Sequence, residues 1–453
     1  MSDATSFNVT ATIDQSRISG FQWTVLGISL VTAMFDGYDT QGIAYVAPVM
    51  AHDLGFSPAL LGPIFSAGLF GLTFGAIFFG MLADKIGRKQ TIIWPMVIFG
   101  IFSLATPLGH TVNQLIVLRA LAGFGLGGTL PNVTAYVLEY APKRRRSLLV
   151  NSTGALFALG SIVSGVLANK LIPTFGWQST FYVGGAVPLL FVVVVALWMP
   201  ESVRFLLLSG QAMQRAAAIM QRIVPDRGFT LATRFSLERQ LEGLTVKHLF
   251  TEGRGVPTML LWVGFVMNLF ILTYVIFWMP SLLRQVGQPL SVAIEATIFY
   301  AIGGMTGGLT TGWIADRTGS LPRVLAWAYF SAAVFITVAA FSTRNTAILI
   351  PAMFLTGFCI NGGQPCLNTI SATYYPTAIR ATGIGWALGV GRVGAVVGPL
   401  IGGILVGAKF SVPAVIMANI IPALIGAVAI VLFNLRHMAQ SDAVAPSVSS
   451  AAE

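Results

Sequence analysis

Long apolar segments dominate the chain. A membrane-spanning helix needs about 20 mostly apolar residues, and twelve segments reach that length, at 21–50, 58–83, 91–109, 114–141, 147–169, 178–199, 257–283, 289–315, 322–342, 346–375, 381–407 and 412–434. The segments are continuous, whereas strands of a membrane β-barrel alternate apolar and polar residues. The pattern therefore predicts an all-α polytopic membrane protein with twelve transmembrane helices.

One polar segment is much longer than the other connections. Residues 200–256 separate the sixth and seventh spans and divide the chain into two six-helix bundles, at 21–199 and 257–434, with tails at 1–20 and 435–453. Within this linker, Ala216, Ile219, Met220 and Ile223 share one helical face. That spacing predicts a short amphipathic helix, either on the cytoplasmic membrane surface or solvated.

Composition agrees with a membrane protein. Of 453 residues, 55% are hydrophobic and 9% are charged, whereas a soluble domain carries roughly a quarter charged residues. This argues against a soluble enzyme, a disordered chain and a nucleic-acid binder, despite a net charge of +10. The four histidines have no metal-ligand spacing, and no Gly-x-x-x-x-Gly-Lys-Ser/Thr sequence occurs. We expect no metal, no cofactor and no ATP.

The basic residues predict the orientation of the chain. Of the 26 Lys and Arg residues, 20 fall on the side of the termini and four on the opposite side, with Arg119 and Arg392 inside spans. Because basic residues favour the cytoplasmic side, both termini are expected in the cytoplasm. Residues 1–20 are polar, so we expect no cleavable signal peptide.

The two halves contain an internal repeat. The sequence from Gly80 to Lys89 follows span two, and a similar sequence from Gly312 to Gly319 follows span eight. Their aspartates, Asp84 and Asp316, are 232 residues apart. A duplicated six-helix unit is typical of transporters that bind substrate near the membrane midplane.

These motifs resemble the major facilitator superfamily. The Gly80–Lys89 segment is similar to the family's signature loop, Arg119-Ala-Leu-Ala-Gly123 to its span-four arginine motif, and Pro200-Glu-Ser-Val-Arg204 to the motif that closes its first half. In span one, Asp36-Gly-Tyr-Asp39 resembles the aromatic acid:proton symporter branch. The resemblance implies import of benzoate-type or hydroxybenzoate-type acids with protons, for aromatic catabolism.

Four charged residues lie at similar depths inside the predicted spans. Asp36 and Asp39 share one face of a helix, and two nearby carboxylates in a low dielectric cannot easily both be charged, which suits a proton carrier. Arg119 and Arg392 keep their charge and can grip a carboxylate. We expect Asp36 and Asp39 to couple protons and Arg392, helped by Arg119, to bind substrate. An Asp36–Arg119 pair of purely structural role is the alternative.

Amide and aromatic side chains in spans four, seven and ten complete the predicted substrate site. The candidate substrate-binding residues are Asn132, Asn268, Tyr274, Asn361 and Gln364, with Trp278 and Asn368 as weaker candidates. The aromatic residues could instead belong to the interfacial belt, an interpretation that we favour for Trp278. The amides could instead form interhelical hydrogen bonds.

The loop motifs predict a cytoplasmic gate. The resemblance implies a charge relay that latches the inward side, to which we assign Gly80, Asp84, Gly87, Arg88, Glu139, Asp316 and Arg317. Solvated turns with positive-inside charges are the alternative. The second copy has Ser320 where the first has Arg88, so an asymmetric latch is expected.

Taken together, the sequence predicts a proton-coupled importer of a small aromatic carboxylate, monomeric, in a bacterial-type inner membrane. The alternatives are a carrier of a sugar or another organic acid, and a drug:proton antiporter. An enzyme is not expected, because no catalytic constellation is apparent.

Overall fold

The computed structural model describes residues 6–209, 213–225, 229, 233–236 and 246–449, without the side chains of 6, 234, 315–316 and 437–449. Within them, the α-helices are α1 Val9–Gln15, α2 Gly20–Asp53, α3 Leu61–Ile86, α4 Gln90–Ala105, α5 Val112–Tyr140, α6 Lys143–Phe175, α7 Gln178–Trp198, α8 Val203–Leu208, α9 Met213–Ile223, α10 Gly255–Gln285, α11 Leu290–Thr318, α12 Leu321–Phe341, α13 Thr346–Ile360, α14 Gly363–Tyr374, α15 Arg380–Gly407, α16 Val412–Met417 and α17 Ile420–Ser449. Two short parallel strands, β1 Ser6–Asn8 and β2 Arg234–Ser236, pair with each other.

Eleven helical segments among the described residues are long and apolar enough to cross a membrane. The bent pair α1–α2, with 101° between its helices, brings the number to as many as twelve. The all-α membrane fold is thus confirmed.

Two predicted spans are not continuous helices. The predicted helix 346–375 is interrupted between α13 and α14 at Asn361 and Gly362, and the predicted helix 412–434 is interrupted between α16 and α17. Hydropathy does not register either break, because each span is apolar when taken as a whole. Broken helices at membrane depth are tolerated where the backbone is covered by protein or lines a cavity.

The first compact unit consists of residues 1–46 and 67–240. Its helices α3 and α5 approach closely at Gly68 and Gly123, where a Cβ added to Gly123 would lie 2.0 Å from the Gly68 carbonyl oxygen. Small residues permit such backbone approach between membrane helices. The glycine run from Gly123 to Gly128 is therefore a packing surface.

The linker helix α9 is covered by protein. Its residues Ala216, Met220 and Ile223 belong to a buried apolar cluster of the first unit that also contains Val9 and Ile13 of α1. Both suggested placements of this face, on the membrane surface and in solvent, are therefore wrong. The amphipathic pattern predicted the helix, but it could not identify the polar N-terminal segment as the partner.

The second compact unit consists of residues 47–66 and 241–453. Within it, α15 packs against α10, and a Cβ added to Gly394 would lie 2.0 Å from the Val266 carbonyl oxygen. The segment 47–66 also packs here, since Ser66 donates a hydrogen bond of 2.8 Å to the Val396 carbonyl. The two predicted bundles with a boundary at 200–256 remain a prediction.

Candidate transport site

A buried ion pair lies inside the first unit. Arg119 of α5 donates from Nη2 to Oδ2 of Asp39 on α2 at 2.9 Å, and these side chains are 4% and 2% exposed. The Ser103 hydroxyl of α4 donates to Oδ1 of the same carboxylate. Both oxygens of Asp39 therefore have a donor, which is how a charge is retained in a dry interior.

The Arg119 guanidinium is held from two directions. Its Cζ lies 5.3 Å from the ring centroid of Phe181, a cation–π contact. Its Nη1 is buried and has no hydrogen-bond partner among the described residues. The arginine is therefore fixed by Asp39 and an aromatic face while one buried donor group remains unpaired.

The two span-one carboxylates have different surroundings. Asp36 is also buried, at 2% exposure, and one of its oxygens accepts a hydrogen bond of 3.1 Å from Thr40. The ion pair of Arg119 is with Asp39, whereas the suggested structural pair joined Arg119 to Asp36. Shared helical spacing placed both acids on one face but could not say which of them meets the arginine.

A neutral amide network lies inside the second unit. Asn268 of α10 donates from Nδ2 to Oε1 of Gln364 on α14 at 2.8 Å. The Tyr329 hydroxyl of α12 donates to Asn268 Oδ1 at 3.1 Å. Asn268 and Tyr329 are fully buried, whereas Gln364 is partly accessible. The predicted interhelical role therefore applies to Asn268, and Gln364 is left at the edge of the network.

Two other candidates of the second unit lie at accessible positions. Arg392 on α15 is partly accessible. Asn361, also partly accessible, stands at the interruption between α13 and α14, against Gly304. Neither residue is buried deeply enough to be withdrawn from a ligand.

Two aromatic candidates have their polar atoms bonded to backbone carbonyls of the second unit. Tyr274 donates from its hydroxyl to the Val415 carbonyl at 2.8 Å, and Trp278 donates from Nε1 to the Pro399 carbonyl at 2.8 Å. Both side chains are buried, at 1% and 0% exposure. Assignment to an interfacial belt is therefore wrong, because both polar atoms are bonded inside the protein.

A second charged cluster of the first unit surrounds Arg88. This arginine lies 3.3 Å from Glu139 and 3.8 Å from Asp84, and its Nη1 donates to Asn132 Oδ1 at 3.4 Å. The structure thus brings together Asp84, Arg88 and Glu139 of the predicted gate residues. It also places Asn132 in this cluster, although we expected Asn132 at the substrate.

Glu201 closes the same cluster from the polypeptide beyond α7. Its Oε1 accepts from the backbone N–H groups of Lys89 at 3.1 Å and Ser202 at 2.8 Å. Ser202 in turn donates to Glu139. Burial raises the pKa of the Glu201 carboxyl above its ordinary value. The cluster lines a cavity of about 1490 Å³.

The second copy of the loop motif is built differently. Arg317 stacks over Trp313, with Cζ 3.8 Å from the ring centroid, and the side chain of Asp316 lies outside the described residues. In the first copy, the predicted gate residue Gly80 has open space around it and does not join the Arg88 cluster. Arg317 aligns with Lys85 of the first copy and Ser320 with Arg88, so the asymmetric latch stays a prediction.

Five residues of these sites escaped prediction as individual side chains: Ser103, Phe181, Glu201, Ser202 and Tyr329. Glu201 and Ser202 stand inside the recognised motif Pro200–Arg204, so the motif was the available signal. Ser103, Phe181 and Tyr329 lie in apolar spans with no motif around them, and only the tertiary contacts identify them.

The family model described as Major Facilitator Superfamily matches residues 29–325 and 261–449. The chain belongs to this superfamily. It has the fold of the superfamily's transporters, and the expectation that it is not an enzyme is confirmed.

Relatives with full-length similarity carry the names of aromatic acid transporters. The 4-hydroxybenzoate transporter PcaK of Pseudomonas putida is 35% identical over 95% of this chain and 96% of its own length. The gallate transporter of the same species is 34% identical, over 92% and 93%. The predicted resemblance to the aromatic acid transporters of the superfamily is confirmed.

A solved structure supports the fold alone. The xylose transporter XylE from E. coli, in an inward open conformation, aligns with a TM-score of 0.70 at 17% identity, covering 91% of this chain and 95% of that protein.

Proposed function

We propose that this protein imports a small aromatic carboxylate by proton symport and alternating access, with Asp39 as the principal proton carrier. The buried Asp39–Arg119 pair supports this most strongly. A proton on Asp39 cancels its negative charge, removes the ionic partner of Arg119 and so changes the contacts that hold α2 to α5. Proton binding and helix packing are therefore linked at one residue, while Asp36 serves as the second carboxylate.

The substrate proposal rests on the names of the full-length relatives and on the second unit. Arg392 is the residue that we assign to the substrate carboxylate, because a partly accessible guanidinium can offer two parallel N–H donors. The Arg119 side chain is only 4% exposed, so it is the weaker choice. Asn361 and Gln364 supply neutral polar groups near the interruption between α13 and α14.

The same proposal includes location and assembly. The protein acts as a monomer in a bacterial inner membrane with both termini in the cytoplasm, and the proton gradient is its energy source. The basic residues around the first loop motif, at the predicted cytoplasmic side, support this orientation.

Uptake into proteoliposomes tests the proposal. Benzoate, hydroxybenzoates, phthalate and sugars are compared as competitors under an inward proton gradient. Aromatic monocarboxylates should compete and sugars should not. Arg392→Lys should raise the KM about tenfold with a smaller change in kcat, because lysine cannot form the bidentate contact. Sugar competition, or an unchanged KM in this variant, would contradict the substrate assignment.

A further inference from the structure

The hydrogen-bond directions of the second unit's amide network are fixed by one phenol. Tyr329 is 0% exposed, and Asn268 Oδ1 is its hydroxyl's one acceptor among the described residues. If the Asn268 amide were reversed, this buried O–H would face an N–H group and lose its acceptor. An unsatisfied buried donor bears the full desolvation penalty of its polar group, so Asn268 keeps its oxygen toward Tyr329.

The direction is passed to Gln364. With Oδ1 occupied by Tyr329, Asn268 presents Nδ2 and donates to Gln364 Oε1 at 2.8 Å. The Gln364 oxygen is thereby engaged, and its Nε2 group has no partner among the described residues. Because the Gln364 side chain is partly accessible, its N–H groups can donate to a ligand. Its oxygen is already bonded to Asn268 and cannot readily accept from one.

The position of Gln364 suits contact with a ligand. It lies in the first turn of α14, directly after the interruption at Asn361 and Gly362 within the span Thr346–Tyr374. Interrupted helices at membrane depth are a feature of transporter binding sites. Gly363 lies beside the network, since a Cβ added there would be 3.6 Å from Asn268 Oδ1.

We propose that Tyr329, acting through Asn268, is a positioning residue that makes Gln364 a donor-only contact for a ring substituent, selecting aromatic acids whose substituent accepts a hydrogen bond. This inference rests on the proposed function. A ring hydroxyl oxygen can accept from Gln364, whereas the ring amino group of an aminobenzoate is chiefly a donor. The protein should therefore prefer hydroxybenzoates to aminobenzoates of the same shape.

Competition constants for hydroxybenzoate and aminobenzoate isomers, measured with benzoate as reference, test the inference. The wild type should bind the hydroxy acid about two- to tenfold more tightly than its amino counterpart, the range of one hydrogen bond. Tyr329→Phe should bring this ratio close to one with little change for benzoate, because the amides can then reverse. Gln364→Glu should make the protein prefer the aminobenzoate, because a carboxylate accepts hydrogen bonds. Gln364→Met is the matched control, since its side chain offers no N–H donor.

The outcomes separate the two proposals. If aromatic acids compete but the hydroxy-to-amino ratio is near one in the wild type, or is unchanged in Tyr329→Phe and Gln364→Glu, the inference is overturned and the proposed function stands. If Tyr329→Phe does not fold, the two Gln364 variants decide alone. If no aromatic acid competes even in the wild type, both proposals fail.

Discussion

The first unit contains two arginine–carboxylate clusters that differ in burial. Arg119 and Asp39 are 2.9 Å apart and at most 4% exposed. Arg88 and Glu139 are 3.3 Å apart with side chains about a fifth exposed, and the Asp84 that also faces Arg88 is 82% exposed. The same chemical groups are dry in the first cluster and partly exposed to solvent, called wet below, in the second.

This difference assigns the two clusters different tasks. In a dry site, removing one partner leaves an uncompensated charge, so a proton arriving at Asp39 has a large effect on its surroundings. In a wet site, solvent screens the charges and an ion pair contributes little. The Arg88 cluster can therefore open and close at small cost, as a gate requires, whereas the Asp39 pair can couple a proton to a conformational change.

The largest effect is expected from breaking the dry pair. Arg119→Met should lower the free energy of unfolding by about 3–5 kcal/mol, because Asp39 is left buried without its cation. Adding Asp39→Asn to Arg119→Met should recover part of the loss. Arg88→Met is the matched control and should cost about 1 kcal/mol or less. Thermal unfolding in detergent would measure all four proteins, and equal losses at the two arginines would refute the comparison.

A smaller effect is expected at the turn of the wet cluster. Gly87 has φ +92°, and a Cβ there would lie 2.5 Å from Glu201 Oε2. Gly87→Ala should cost about 1–2 kcal/mol for the left-handed backbone, with a further loss from displacing Glu201. Gly319→Ala is the control, since Gly319 has φ +68° and open space around it. Equal melting temperatures of the two variants would show that the Glu201 contact is unimportant.

The smallest effect concerns pH. Because burial raises the pKa of Glu201 in the folded protein, its contribution to stability is fully present below the ordinary carboxyl pKa and is lost as pH rises through the raised value. Glu201→Gln removes this dependence. As pH rises above the ordinary carboxyl pKa of about 4, the melting temperature of the wild type should therefore fall relative to that of the variant. A constant difference would contradict a raised pKa.

The sequence identified buried charged residues, because a charged side chain within an apolar segment is conspicuous. Charges inside apolar segments stand out, so Asp39 and Arg119 were identified without a structure. It failed where the partner comes from a different helix: Asp36 and Asp39 are equivalent on a helical face, and only the fold places Asp39 beside Arg119. Ser103 and Tyr329 are ordinary residues of apolar spans, made important by the atoms opposite them.

The fold shows the same boundary between local and tertiary information. Hydropathy located the membrane helices, because crossing a bilayer requires length and apolarity. It did not reveal the interruption at Asn361 and Gly362, nor the burial of α9 beside α1, because both depend on what packs against the segment. Trp278 was assigned to the membrane interface for the same reason, since its bond to the Pro399 carbonyl is tertiary.

Transport by Asp39→Asn tests the central claim most directly. Accumulation driven by an inward proton gradient is compared with counterflow of substrate at equal pH on both sides, with Asp36→Asn measured alongside. We expect Asp39→Asn to lose proton-driven accumulation while retaining counterflow, because substrate exchange needs no net proton movement. Wild-type accumulation by Asp39→Asn under the gradient would contradict the assignment of Asp39 as the proton carrier.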